Sequence, residues 1–270
     1  MKLLHYQAAN GIPRLAVVEG NEVRDAGRDL LQIFAGQKPV AGGKPLEMGT
    51  LRLAPCVPRP GKIICIGLNY RRHAAESGVA VPSKPIIFSK LPNALAAAND
   101  DIPIPPVTSK CDYEAELVAV IGRSAHNVAE AQALDCVWGF CNGNDVSARD
   151  LQEQSSQWLL GKTLDRFGPI GPWLVSRDEA GDLDRMPIRC TVNGDVRQNS
   201  VVGDMVFGVP ELVSFISRHF PLDPGDIIFT GTPEGVADGR PDHPWLKPGD
   251  EVVVEIGRLG RLVNRMVRSD

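Results

Sequence analysis

The chain has no cysteine pair at Cys-x2-Cys spacing, no apolar run near the length of a membrane-crossing helix, and only 6% aromatic residues. Each shortage excludes something. Without closely spaced thiols a structural zinc site has no nucleus. The six cysteines, Cys56, Cys65, Cys111, Cys136, Cys141 and Cys190, fall singly and mostly inside apolar runs, so they read as reduced core residues. The opening Met1-Lys2-Leu3-Leu4-His5-Tyr6 lacks the long apolar segment of a secretory signal. A cytoplasmic protein with no membrane contact is the expectation. Basic clustering is missing too: 29 Lys and Arg against 33 Asp and Glu give a net charge of -4, and the basic residues are scattered. No electrostatic footprint for nucleic acid results, which leaves small molecules as the expected partners.

What the chain does contain is 27 glycines, 22 prolines and 43% hydrophobic residues within 270 positions. That composition predicts one large unit with many turns between short elements: an α+β fold, predominantly β. Residues 1–58 read as a small N-terminal β-rich domain, with a strand at 14–18, a Gly20-Asn21 turn and a helical turn at 30–34. Gly42-Gly43 and the proline-rich 54–60 mark a linker into a larger unit, 59–270. There, strands are expected at 62–67, 85–90, 112–122 and 137–145, and helices at 71–78, 129–136 and 209–216. Asn193-Gly194 sets a β-hairpin turn, and a second hairpin closes the chain.

The polar residues within this frame are open to two readings each. Glu114 and Glu116 stand two apart on one strand, so both carboxylates face the same way. Either that face is wet, or the pair binds a cation or shares a proton. Asp145 ends the strand at 137–145, as a turn residue, a helix N-cap or a third acid meeting the first two. Three converging carboxylates would suit Mg²⁺ or Mn²⁺. His73 and Glu76 share a helix face at i, i+3, as a surface pair or as a base with its orienting carboxylate. Arg149 and Gln152 lie on one side of a helix at 147–152, where Arg149 binds a substrate carboxylate or pairs with an acid. Lys162, in the glycine-flanked loop 161–169, is a solvated lysine or a partner for an oxyanion; the loop lacks the Gly-x4-Gly-Lys-Ser/Thr pattern of a phosphate cradle. The tight turn Thr230-Gly231-Thr232-Pro233 offers N–H groups and a hydroxyl to a carboxylate.

Taken in order, several of these segments form one pattern: Ile66-Gly67-Leu68-Asn69-Tyr70 with His73 and Glu76, Phe88-Ser89-Lys90, Tyr113-Glu114-Ala115-Glu116-Leu117, Asn144-Asp145-Val146-Ser147-Ala148-Arg149-Asp150, Gly161-Lys162-Thr163, Gly168-Pro169 and Thr230-Gly231-Thr232-Pro233. From Lys62 to the C-terminus the chain resembles the fumarylacetoacetate hydrolase superfamily. The resemblance implies a mixed β-roll and β-sandwich catalytic fold, a homodimer, and a divalent metal, Mg²⁺ or Mn²⁺, on Glu114, Glu116 and Asp145. It implies a catalytic dyad of His73 and Glu76 on a lid helix that orders over substrate, with Lys162 near the substrate's oxo groups. Arg149 and Gln152 match pocket positions, and Thr232 matches the threonine that meets the substrate carboxylate. Two segments depart from the pattern, 201–203 and 257–260, and neither touches the acids.

The implied reaction is hydrolysis of a carbon–carbon bond in a β-diketo acid of the acylpyruvate type, through an enolate that a Lewis-acidic metal stabilises. His73 would activate water and Lys162 would meet the developing negative charge. Decarboxylation of oxaloacetate, and isomerisation or hydration of hydroxymuconate-type or 2-oxo-alkenoate acids, pass through related enolates and form the alternative.

Overall fold

The computed structural model describes residues 1–269. Its backbone is a 12-stranded sheet beside a five-stranded one. The large sheet runs, in spatial order, through Pro45–Leu46, Glu22–Asp25, Pro13–Glu19, Lys2–Gln7, Gly168–Ser176, Val137–Asn144, Ala115–Ile121, Ile227–Phe229, Ile63–Gly67 and Ile86–Ser89, with Leu53–Ala54 pairing off Lys2–Gln7 and Leu95–Ala96 off Gly168–Ser176. The N-terminal strands therefore continue the sheet that holds the later ones, joined where Lys2 and Leu3 pair with Val175 and Leu174. The smaller sheet orders Asp195–Val201, Pro187–Val192, Glu251–Ile256, Arg261–Arg268 and Asp101–Ile104. Among the described residues no helix is long and apolar enough to cross a membrane.

The unbroken apolar run at 117–121 follows from burial of the large sheet on both faces. Leu117, Ala119 and Ile121 pack into one core, whereas Val118 and Val120 pack into a second core on the other side. Alternation of side chains along a strand cannot produce polar positions when neither face meets water. Glu114 and Glu116 share the parity of Val118, so they lie at the end of a buried face. All six cysteines are buried and free, as expected from their apolar settings.

Local rules account for most elements. The helix Leu30–Phe34 starts with a capping box in which Asp29 accepts from the Gln32 amide and Gln32 accepts from the Asp29 amide. Helix Val209–Ser217 has proline in its first turn, where the missing N–H costs nothing. Asn193, at φ 53°, and Gly194, at φ 86°, supply the positive dihedrals of the hairpin turn.

His5 makes the fold acid-sensitive. Burial pushes its imidazole down from 6.5 to about 4, opposed by the bond between Nδ1 and the Cys56 carbonyl at 2.9 Å. The unfolded ring takes up a proton near its ordinary value and the folded ring does so only near 4. Stability is thus intact above that ordinary value and falls as pH drops toward the folded one, by about 3 kcal/mol. Urea unfolding at pH 7.5 and pH 4 is expected to show this extra loss in the wild type and not in His5→Asn; equal losses would rule it out.

Candidate active site

Strand pairing brings the acids together. Ala115–Ile121 runs antiparallel to Val137–Asn144, with Ala115 opposite Asn144 and Glu116 opposite Gly143. Just beyond the paired ends, the Asp145 amide donates to the Glu114 carbonyl at 2.9 Å, and the Glu114 amide donates to Asn144 Oδ1 at 2.9 Å. These crossed bonds place Asp145 beside Glu114. A carboxylate oxygen from each of Glu114, Glu116 and Asp145 lies within 4.8 Å of the others, and all three residues are buried. The wet-face reading of Glu114 and Glu116 is therefore overturned. So is the N-cap reading of Asp145: the helix begins only at Arg149, after the short strand Ser147–Ala148.

Three buried cations surround the acids. Lys162 ends the short helix Leu159–Lys162, and its Nζ bonds Glu114 Oε2 at 2.6 Å and Asp145 Oδ2 at 3.1 Å. It also lies 5.2 Å from the centroid of the Phe88 ring, within cation–π range. The solvated-lysine reading fails, because Lys162 is almost wholly buried. Arg149 donates from Nε to Asp112 Oδ2 at 2.9 Å, from Nη2 to Glu114 Oε1 at 2.6 Å and from Nη1 to Gln152 Oε1 at 3.0 Å. Of the two readings of Arg149, pairing with acids is the one observed. Lys90 ion-pairs with Asp145 Oδ1 at 2.5 Å.

The charges are unequal. Asp112, Glu114, Glu116 and Asp145 face Lys90, Arg149 and Lys162, and among the described residues Glu116 has no cation bound to it. Among the described residues its side chain is bonded by the Gly231 N–H, 2.8 Å from Oε2. Burial, then the nearby Asp145 and Glu114 carboxylates, push the Glu116 carboxyl well above its ordinary range. Burial also opposes charge on Glu114, but Lys162 and Arg149 outweigh it and hold that carboxyl at about 2. A buried set of hard oxygens with one acid lacking a counter-ion fits a divalent cation such as Mg²⁺ or Mn²⁺.

A cavity of about 160 Å³ opens over this cluster, lined among others by His73, Glu114, Glu116, Arg149, Gln152, Lys162 and Thr232. Apolar walls come from Ile66, Leu68, Phe88 and Trp158. The helix Arg71–Glu76 places His73 on the cavity, with Nδ1 3.3 Å from Glu76 Oε2. Glu76 is in turn held by the Gly235 N–H at 2.9 and 3.1 Å. The helix is docked here: Arg71 donates to the Met205 and Asp204 carbonyls, and the Arg72 amide donates to Asp204 Oδ2.

Loop 230–238 ties the layers together. Gly231 has φ +98°, and an added Cβ would come within 2.7 Å of Asn69 Cβ, so only glycine delivers its N–H to Glu116. The Thr232 hydroxyl donates to the Ala115 carbonyl at 3.0 Å and accepts from Gln198 Nε2 at 2.8 Å. That hydroxyl is committed to the fold, while the residue still lines the cavity. The Ala237 and Asp238 amides donate to Asp112 at 2.7 and 3.1 Å.

Sequence reasoning gave no role to Lys90, Asp112 or Gln198. The usable signal was a charged residue flanking an apolar strand: Lys90 follows Ile86–Ser89, and Asp112 stands two residues before Glu114. Gln198 carries no such mark.

A family description, "Fumarylacetoacetate (FAA) hydrolase C-terminal", matches residues 62–267. The chain belongs to the fumarylacetoacetate hydrolase family. Over 218 residues it is 50% identical to the Dictyostelium discoideum "Fumarylacetoacetate hydrolase domain-containing protein 2 homolog", covering 77% of this chain and 72% of that one. It is 46% identical over 217 residues to the Bos taurus "Oxaloacetate tautomerase FAHD2A, mitochondrial", covering 80% and 69% respectively. Among solved structures, the 5-carboxymethyl-2-hydroxymuconate delta-isomerase of Mycobacterium smegmatis superposes with a TM-score of 0.85 at 33% identity, over 100% of both chains.

Proposed function

We propose that this chain is a divalent-metal-dependent enzyme that moves a proton along a small 2-oxo acid, interconverting its keto and enol forms through an enolate. The observation that carries this reading is the cation-lacking Glu116, buried with Glu114 and Asp145 under a cavity that His73 also lines. The cavity, at about 160 Å³, is smaller than the ~300–1,000 Å³ typical of drug-sized ligands, which suits a short-chain acid. Proton transfer is favoured over carbon–carbon hydrolysis because the relatives named above include a tautomerase and an isomerase.

Glu114, Glu116 and Asp145 would hold the Mg²⁺ or Mn²⁺ ion, whose Lewis acidity stabilises the enolate of a bound 2-oxo acid. With the proton on His73 Nδ1, Glu76 accepts a hydrogen bond from it, which holds that tautomer and leaves the Nε2 lone pair to act as base. Nε2 takes the proton from the carbon beside the oxo group and returns it to the enolate oxygen. The Lys162 ammonium, anchored on Glu114 and Asp145, keeps positive charge at the cavity wall where that oxygen develops. The apolar wall of Leu68, Phe88 and Trp158 limits competing water. Hydrolysis of an acylpyruvate is the second reading, favoured by the His73–Glu76 pair, which equally suits activation of water.

The test uses protein stripped with EDTA and reloaded with Mg²⁺ or Mn²⁺. Enol-to-keto conversion of oxaloacetate, followed by ultraviolet absorbance, is compared with acylpyruvate cleavage and with oxaloacetate decarboxylation. Metal-dependent tautomerisation with the highest kcat/KM is expected. A higher kcat/KM for acylpyruvate cleavage would overturn the proton-transfer assignment, and activity indifferent to EDTA would overturn the metal requirement.

A further inference from the structure

Lys90 is fully buried at its ammonium end, yet among the described residues it bonds no acid besides Asp145, and it does not line the cavity. Its Nζ donates to the Phe167 carbonyl at 2.8 Å, the Val146 carbonyl at 3.2 Å and the Lys162 carbonyl, and it ion-pairs with Asp145 Oδ1 at 2.5 Å. Three carbonyl partners use the three N–H bonds of an ammonium. Lys90 is therefore a fixed, desolvated positive charge seated against one oxygen of a triad carboxylate, in a cage built from three chain segments.

From this geometry we infer that Lys90 is a positioning residue that sets the cation selectivity of the triad, by restricting Asp145 to a single ligand oxygen. An ion that engaged Oδ1 as well would sit against a buried ammonium with no water between them, and like charges in such a setting repel strongly. Oδ2 also meets an ammonium, Lys162 at 3.1 Å, but Lys162 lines the cavity and among the described residues has no carbonyl cage, so an incoming ion can take its place there. Elsewhere in the triad Glu114 Oε1 is taken by Arg149 and Oε2 by the same Lys162, and Glu116 Oε2 is taken by the Gly231 amide, so each acid offers one oxygen once Lys162 yields. One-oxygen ligands suit ions that take six ligands in octahedral geometry, Mg²⁺ and Mn²⁺. Ca²⁺ needs six to eight oxygens and commonly gains them from two-oxygen carboxylates. The Lys90 bond to the Lys162 carbonyl also anchors the helix end from which Lys162 reaches the acids.

The inference rests on reading Glu114, Glu116 and Asp145 as a cation site, and the experiment separates the two. Calorimetric titration of the metal-free protein with Mn²⁺, Mg²⁺ and Ca²⁺ is compared between the wild type, Lys90→Met and Lys90→Gln. Removing a cation tightens binding of every ion, so the readout is the ratio of Kd for Ca²⁺ to Kd for Mn²⁺. The wild-type ratio is expected to exceed about ten and to fall by about tenfold in Lys90→Met, as Asp145 gains a second free oxygen. A ratio unchanged in the variants overturns the assignment of Lys90 alone. If Lys90→Met does not fold, Lys90→Gln, which keeps an uncharged donor for the carbonyls, carries the comparison. A wild-type ratio near one overturns the inference without any variant. No binding of any ion overturns the triad reading, and this inference with it.

Discussion

Glu116→Gln is expected to weaken Mn²⁺ or Mg²⁺ binding by more than about 100-fold, with kcat/KM falling in parallel, in a protein that stays folded. Partners one layer behind a metal are commonly worth ~10–100-fold in affinity, so loss of a direct ligand exceeds that. This acid is the place to make the change because among the described residues it carries no ion pair. The amide oxygen of glutamine still accepts the Gly231 N–H, and neutralising the group relieves the repulsion from Asp145 and Glu114 that pushes its carboxyl upward. The metal-free variant should therefore melt no lower than the wild type. Glu114→Ala is a poorer experiment. It removes one of the two acids that hold each of Arg149 and Lys162, and breaking a buried ion pair from one side costs ~3–5 kcal/mol, so lost activity there mixes with lost fold. Calorimetry, thermal melting and steady-state kinetics on Glu116→Gln check the prediction together. Undiminished metal affinity would remove the triad as the metal site.

Asp112→Ala is expected to destabilise the protein by ~3–5 kcal/mol, the range for breaking a buried ion pair from one side. For a chain of this size that corresponds to a melting temperature lower by roughly 10 °C. Asp112 is wholly buried and accepts from Arg149, from the Ala237 and Asp238 amides and from the amide of Tyr113. Burial pushes its carboxyl upward even against the Arg149 charge, which measures how much this position depends on its partners. Alanine leaves the guanidinium short of an acid and two loop amides without acceptors, each orphaned donor costing ~1–3 kcal/mol. Because those amides belong to the loop that also holds Glu116 and Glu76, the site should loosen with the fold. Calorimetric melting checks this. A variant within about 2 °C of the wild type would show that Asp112 contributes little.

The elements were legible to different degrees, for identifiable reasons. Helix Leu30–Phe34, the Asn193-Gly194 hairpin and the Pro-started helix Val209–Ser217 rest on local rules that a sequence displays directly. The region 147–152 reads as helix throughout, yet Ser147–Ala148 forms a short strand with Cys111–Asp112. That pairing links positions more than thirty residues apart, and no local propensity reports it.

For the site, the sequence by itself determined which residue types are available: two acids at strand spacing, a third at a strand end, and a histidine and glutamate one helical turn apart. It also showed no closely spaced thiols to nucleate a structural zinc site. It did not decide whether those acids were wet. The solvated readings of Glu114, Glu116 and Lys162 were sound for isolated residues, since charged side chains are seldom buried without partners. Only the tertiary structure decided otherwise. The register of Ala115–Ile121 against Val137–Asn144, burial of the sheet on both faces, and the arrival of Lys90, Arg149 and Lys162 from three other segments supply the counter-charges that make burial tolerable. The physical reason is that a charge's cost depends on its distance to other charges and to water, and those distances are set by chain segments far apart in the sequence.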